Sequence, residues 1–247
     1  MEHYFYEAFE GLTRQGPGSE QSTKKALSQQ DLDRNDKLEI LDIGCGPGSH
    51  TLLLAAEFPN AHITAIDTNE TSLTTLKEKL QQRRLEERVS VQNVSMFDMD
   101  FKPETFDLIW AEGSIYIMGF QKGLASWKPL LKPGGYLVCS EISWLHDNPS
   151  DDSKEFWNEG YSEMDTIPNN INQITALDYG YVFSFVLPKK DWVEEYYNPL
   201  ELSLQQMEKK YDTDEDAFSV INMIRQEIKL YQHYYHDYSY VFYGVRK

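Results

Sequence analysis

Short apolar runs alternate with amphipathic stretches through the first half of the chain, which is typical of strand–helix–strand units. The apolar runs predict strands at Leu38–Ile43, His62–Asp67, Val89–Val94, Phe106–Ala111 and Tyr136–Ser140. Helical periodicity fills the intervals at Gly48–Phe58, Glu70–Arg84 and Phe120–Leu131. The sequence Lys132-Pro133-Gly134-Gly135 predicts a turn that ends a helix and begins a strand. The pattern as a whole predicts an α/β fold.

The alternation of apolar runs and amphipathic stretches ends after Glu141. Residues Ile142–Asn172 are rich in Trp, Tyr, Asp and Asn, and they predict loops with short helices. Two late strands are predicted at Tyr179–Leu187 and Tyr238–Val245, separated by a long helical stretch at Asp191–His236. We therefore expect one domain over residues 1–247. Its parts are an N-terminal segment (1–37), an α/β core (38–141), an insertion (142–178) and C-terminal strands with a helical insertion (179–247).

The net charge and the number of cysteines limit the classes of ligand and partner that the chain is expected to bind. The 247 residues carry a formal net charge of −17, from 40 acidic and 23 basic residues. Such a surface repels phosphate backbones and anionic lipids, so we expect neither a nucleic acid nor a membrane partner but a small molecule. Cys45 and Cys139 are the only cysteines, too few for a zinc site or a disulfide framework. We therefore expect no metal site. Because the sequence has no signal-peptide core and no apolar run of about 18 residues, we expect the chain to be cytoplasmic.

The strongest local signal is the glycine loop Gly44-Cys45-Gly46-Pro47-Gly48, which follows the first strand. Gly44 and Gly46 carry no side chain, so a ligand can lie against their backbone. The helix that starts near Gly48 offers unpaired N–H groups, and Asp42 offers an acceptor to a ligand with an ammonium group. A ligand-free tight turn is the alternative. A dinucleotide site is another, although its usual spacing is G-x-G-x-x-G.

An acidic residue, Asp67, ends the second predicted strand beside the glycine loop. A carboxylate at this edge can accept hydrogen bonds from both hydroxyls of a ribose. The alternative is that Asp67 or Thr68 only caps the next helix, since Thr68-Asn69 could do so.

These motifs resemble the class I S-adenosylmethionine-dependent methyltransferases. The chain is most similar to the small-molecule branch with ubiquinone/menaquinone-type and sarcosine-type enzymes, within an uncharacterised bacterial subgroup. The matching segments are Leu41–Gly48, Asp67, Thr105–Ile109 and Leu131–Gly135. The resemblance implies a Rossmann-like, seven-stranded methyltransferase sheet with a helical cap or insertion. It makes residues 1–37 a helical lid and 38–141 the cofactor-binding core, with S-adenosylmethionine as cofactor and a small molecule as methyl acceptor.

The resemblance also assigns a set of cofactor-binding residues. They are Asp42, Gly44, Cys45, Gly46, Gly48, Asp67, Thr68, Ser95, Met96, Phe97 and Glu112. One departure concerns adenine, because Val94-Ser95 stands where the family often has Gly-Asp. In the resemblance, Ser95 could accept a hydrogen bond from the adenine amino group, and the Met96 N–H could donate one to a ring nitrogen. Asp98 is an alternative acceptor for the amino group.

Methyl transfer is an in-line displacement that depends on positioning, and it needs a base only if the acceptor loses a proton. No fixed triad is expected, and the candidates near the sheet edge are Glu112, Glu141 and His146. The many aromatic residues are either core or the lining of an acceptor pocket.

Two other functions stay open at this point, a nicotinamide-dependent oxidoreductase and a non-catalytic cofactor-binding protein. The sequence also leaves the acceptor, the methylated atom and the oligomeric state open, a homodimer included.

Overall fold

The computed structural model describes residues Met1–Lys247 and contains one mixed sheet. Its strands are β1 (Glu39–Ile43), β2 (His62–Asp67), β3 (Val89–Asn93), β4 (Phe106–Ala111), β5 (Leu131–Trp144), β6 (Asp165–Thr166), β7 (Gly180–Val186) and β8 (Tyr238–Arg246). Seven strands follow the order β3-β2-β1-β4-β5-β8-β7, and the short β6 pairs with β5. Strands β1 to β5 pair in parallel, whereas β8 is antiparallel to both of its neighbours. The expected seven-stranded Rossmann-like sheet is therefore confirmed, with β6 as an addition.

Helices cover both faces of the sheet. They are α1 (Glu2–Phe9), α2 (Glu20–Leu27), α3 (Ser49–Glu57), α4 (Glu70–Arg83), α5 (Phe120–Trp127), α6 (Asp151–Gly160), α7 (Ile167–Ala176), α8 (Lys189–Trp192), α9 (Asn198–Lys210) and α10 (Glu215–Tyr234). Successive residues of a strand point to opposite faces, so Val138 belongs to one apolar core and its neighbours Leu137 and Cys139 belong to the other. No helix combines the length and apolar character needed to cross a membrane.

Two predicted boundaries around β5 were wrong. The helix before it ends at Trp127 instead of Leu131, and a 3-10 turn containing Pro129 follows. The predicted turn at Lys132–Gly135 is an irregular segment inside β5, which spans Leu131–Trp144 instead of Tyr136–Ser140. The reason is long-range pairing, since the Gly134 N–H donates to the Lys247 carbonyl and the Lys247 N–H donates to Gly135.

The long helical stretch predicted at Asp191–His236 was also wrong as a single unit. It contains α8, a π-helical turn at Val193–Tyr197, α9 and α10. The break after α9 ends at Asp214, whose carboxylate accepts the Ala217 N–H and caps α10. The insertion contains α6, β6 and α7, and its first residues, Ile142–Trp144, belong to β5.

Candidate functional site

The glycine loop joins β1 to α3 and is held against the end of β2. The N–H groups of Gly44 and Cys45 both donate to the Ile66 carbonyl, at 2.9 and 3.0 Å. Gly44 has φ +73°, and a Cβ atom there would lie 2.5 Å from Ser114 Cβ. A Cβ on Gly46 would meet only Gln15 Oε1, at 3.6 Å. The loop thus needs glycine for its conformation and leaves a nearly bare backbone surface at Gly46.

Asp67 connects the end of β2 to this loop. Its Oδ2 accepts the Gly46 N–H at 2.9 Å, and its Oδ1 accepts the N–H groups of Thr68 and Asn69 at 2.7 and 2.9 Å. The side chain of Asn69 caps α4 by accepting the Ser72 N–H. The cap of α4 is therefore Asn69, one of the two residues Thr68-Asn69 that the alternative interpretation offers, and neither Asp67 nor Thr68 is the cap itself.

Asp42 is fully buried below the loop. Its Oδ2 accepts the Thr51 hydroxyl at 2.6 Å, and its Oδ1 lies 3.4 Å from His50 Nε2. Burial disfavours the charged imidazole, but the Asp42 carboxylate outweighs it and raises the pKa of His50 above its usual value. Cys45 is buried as well, and burial raises the pKa of its thiol far above the usual range.

Glu112 follows β4 and has a buried side chain that is fully occupied by partners. Arg14 Nη1 lies 2.6 Å from Oε1, while Oε2 accepts the Thr23 hydroxyl at 2.9 Å and the Trp110 indole N–H at 3.2 Å. The exposed fractions of the Arg14 and Glu112 side chains are 10% and 3%, so this ion pair is shielded from water. The N-terminal segment is thereby attached to the end of β4.

The residues next to Arg14 lie over the glycine loop. Ser49 donates its hydroxyl to the Thr13 carbonyl, and Ser72 donates to Gln15 Oε1 at 3.4 Å. Together, Thr13–Gln15 form a bridging segment between the loop and Glu112. Sequence reasoning missed Arg14 and Gln15, because neither belongs to a local motif and their partners are far away in the chain.

The residues expected near adenine follow β3 at the same edge of the sheet. The Val94 N–H donates to the Asp67 carbonyl at 3.1 Å, and Ser95 Oγ accepts the Phe97 N–H at 3.2 Å. Met96 is half-buried, whereas Phe97 is 58% exposed and its ring lies 5.6 Å from the Lys122 ammonium. These side chains have surface available to a flat ligand beside Asp67.

The two other candidates for chemistry lie in different surroundings. Glu141 on β5 is 1% exposed, and burial raises the pKa of its carboxyl to about 8. His146 lies apart from it, with Nε2 3.1 Å from Asp237 Oδ1. Asp237 also accepts hydrogen bonds from the hydroxyls of Ser150 and Ser153, so His146 belongs to a network that holds the start of α6.

Comparison with known sequences agrees with this geometry. A family model described as "Methyltransferase domain" matches residues 34–203. An uncharacterised protein of Synechococcus sp. is 37% identical over 107 residues, which cover 42% of this chain and 26% of that protein. The chain spans less than half the length of the curated relatives that it matches.

Solved structures share the fold over nearly the whole chain. YjhP from E. coli superposes with a TM-score of 0.83 at 18% identity, covering 98% of each chain. A SAM-dependent methyltransferase from Geobacter sulfurreducens, in complex with S-adenosyl-L-homocysteine, gives a TM-score of 0.82 at 18% identity and covers 99% of this chain and 98% of its own. At such identities, the likeness concerns the fold.

Proposed function

Since the chain belongs to the methyltransferase-domain family, we propose that it transfers a methyl group from S-adenosylmethionine to a small-molecule acceptor. The observation that carries this proposal is the glycine loop with Asp67 beside it. A bare backbone surface at Gly46 lies within one hydrogen bond, 2.9 Å, of a carboxylate at the neighbouring strand end. This pairing suits a nucleoside whose ribose lies against the loop.

The residues present fit such a cofactor. Three backbone N–H groups bond to Asp67, which leaves about one of its four lone-pair sites, on Oδ2, for a ribose hydroxyl. Ser95, Met96 and Phe97 follow β3 beside Asp67, and they are the residues that we propose for the base. Arg14 retains donors beyond those used on Glu112 and Thr23, and its planar group suits the carboxylate of the amino-acid part.

The remaining chemistry is positioning and exclusion of water. The bound cofactor supplies a methyl group on a positively charged sulfur. The protein orients the reactants through the glycine loop, and the bridging segment Thr13–Gln15 covers that loop against solvent.

A small acceptor agrees with the charge of the molecule. The net charge of −17 opposes the approach of nucleic acid. Methylation of tRNA or DNA by the intact protein would contradict this part of the proposal.

Thermal unfolding with candidate ligands tests the cofactor. S-adenosylhomocysteine at roughly 100 times its Kd should stabilise the fold by about 2.7 kcal/mol, whereas NAD should have no effect.

Asp67→Asn should weaken S-adenosylhomocysteine binding about tenfold or more, because it removes a charge-assisted acceptor. Glu70→Gln, a change of an exposed carboxylate nearby, serves as the control and should bind normally. Stabilisation by NAD alone would overturn the proposal.

A further inference from the structure

A group of tyrosines and two carboxyl groups includes Tyr116 from the turn after β4, and no part of the proposed cofactor site uses it. We call it the tyrosine recess, and its members are Tyr116, Tyr161, Tyr196, Tyr240, Glu141 and Glu227. The rings of Tyr116 and Tyr161 have centroids 6.0 Å apart. Glu227 on α10 accepts the hydroxyl of Tyr197 at 2.9 Å, and the ring of Tyr197 lies 5.1 Å from that of Tyr196.

Tyr116 and Tyr240 both lie near the two carboxyl groups. Burial raises the pKa of Tyr116 and that of Tyr240, and the charges of both Glu141 and Glu227 add to each increase. Yet Tyr116 is 37% exposed, and Tyr240 and Glu227 are half-buried. Partly exposed side chains beside the buried Glu141 indicate a recess that reaches from the surface towards this carboxyl.

Two polar atoms of this recess have no partner. Glu141 Oε2 and the Tyr161 hydroxyl are buried without a hydrogen bond. Burial raises the pKa of Glu141 to about 8, the charge of Glu163 adds to the increase, and the nearby Tyr161 hydroxyl opposes it. Buried polar groups in proteins are nearly always paired, so these two atoms, which lie near each other without a hydrogen bond of normal geometry, mark a place for a polar ligand.

The position of Tyr116 connects the recess to the cofactor loop. Tyr116 comes two residues after Ser114, whose hydroxyl donates to the Ile43 carbonyl at 2.7 Å. Ser114 also lies against Gly44. A ligand beside Tyr116 is therefore adjacent to the loop that the proposed cofactor occupies.

We propose that the tyrosine recess binds the methyl acceptor, and that this acceptor is a cationic amine. Aromatic faces attract ammonium groups, and more strongly when water is excluded. Glu227, together with Glu141 once it has lost its proton, supplies negative charge, which favours a cation over a neutral or anionic acceptor. The identification as acceptor rests on the proposed function, whereas the binding of a cation does not.

Binding of a cation should release a proton from Glu141. The titratable groups around this carboxyl are Tyr161 and Glu163 after α6, Tyr116 after β4, Tyr240 and Tyr243 on β8, and Cys139 on β5. None of them is a cation, so the free carboxyl holds its proton at neutral pH. A bound ammonium favours the carboxylate, and the proton passes to solvent. If the ligand is a protonated amine, this carboxylate can then take the N–H proton and leave the nitrogen lone pair free.

Calorimetry on the full chain with tetramethylammonium chloride tests the inference. At pH 7, in two buffers with different ionisation enthalpies, binding should release up to about one proton per cation. The neutral isostere tert-butanol should not bind. Glu141→Gln should abolish the proton release, and Glu227→Gln should weaken binding about tenfold. Glu195→Gln, on the exposed side of the turn that carries Tyr196, is the matched control and should behave like the wild type.

Each outcome is decisive when melting curves show that the variants are folded. Equal binding of tetramethylammonium by wild type, Glu141→Gln and Glu227→Gln would overturn the proposed site, and equal binding of tert-butanol would overturn its cation preference. Stabilisation by S-adenosylhomocysteine without tetramethylammonium binding removes this inference and keeps the proposed function. Tetramethylammonium binding without stabilisation by S-adenosylhomocysteine would overturn the proposed function and keep the cation site.

Discussion

The carboxyl group of Glu141 makes the stability of the fold depend on pH. Burial raises its pKa from the usual 4.5 to about 8, so between these values the folded protein keeps a proton that the unfolded chain has lost. The contribution of this carboxyl to the free energy of unfolding is fully present below pH 4.5, and it is lost as the pH rises from there through about 8. The slope reaches at most about 1.4 kcal/mol per pH unit.

Glu141→Gln should remove this dependence. We expect the variant to gain stability relative to the wild type as the pH increases from 5 to 8.5, because glutamine never ionises. Urea unfolding of both proteins at the two pH values measures the difference. A constant difference between wild type and variant would show that the carboxyl titrates normally in the folded state.

Residues that form a local motif could be predicted from the sequence, and residues paired over long distances could not. The glycine loop and Asp67 stand next to predicted strands, so their meeting follows from the parallel order of β1 and β2. Arg14 and Glu112 are 98 positions apart, and their pairing depends on how the N-terminal segment folds back. Glu227 lies in a helix whose periodicity gives no sign of a site.

Among the elements, strands with local signals were placed well, and elements completed by distant partners were not. β2 and β4 have the predicted bounds, since both are short apolar runs between turns. β5 is longer than predicted because nine of its residues pair with β8, which follows about a hundred residues later. The break between α9 and α10 carries the cap residue Asp214, a signal hidden by the helical periodicity around it.

The bridging segment and β4 are connected by the Arg14–Glu112 pair, which is shielded from water. Arg14→Ala leaves a buried carboxylate without its cation and should destabilise the fold by about 3 kcal/mol. In the double variant with Glu112→Gln, the loss should be smaller than the sum by at least about 1 kcal/mol. Denaturant unfolding of the four proteins measures this coupling.

Lys24→Ala is the control for this cycle, because the Lys24–Glu20 pair lies on the exposed side of α2 and should change stability little. Additive effects of the two changes at Arg14 and Glu112 would show that the pair contributes no coupling energy.

For the molecule as a whole, the order of the sheet explains where the site lies. β1 is flanked by β2 on one side and by β4 on the other, so the chain reverses its direction of growth at this point. Ligands of open α/β sheets bind outside the carboxyl ends of the strands at such a switch. The glycine loop, Asp67 and Glu112 follow β1, β2 and β4 at this edge, and the N-terminal segment lies across it.

This arrangement predicts that the N-terminal segment controls cofactor entry as a lid. Gln15 lies next to Gly46 and Arg14 holds the segment to Glu112, so we expect the bridging segment to move aside when a ligand enters the loop. Arg14→Ala and Gln15→Ala should each accelerate both association and dissociation of S-adenosylhomocysteine several-fold. Trp110, whose indole donates to Glu112, provides a fluorescence signal for stopped-flow measurement. Tyr4→Phe removes only a bond from α1 to Asp214 and should leave both rates unchanged. Association as slow in Arg14→Ala and Gln15→Ala as in the wild type would mean that the ligand enters by another path.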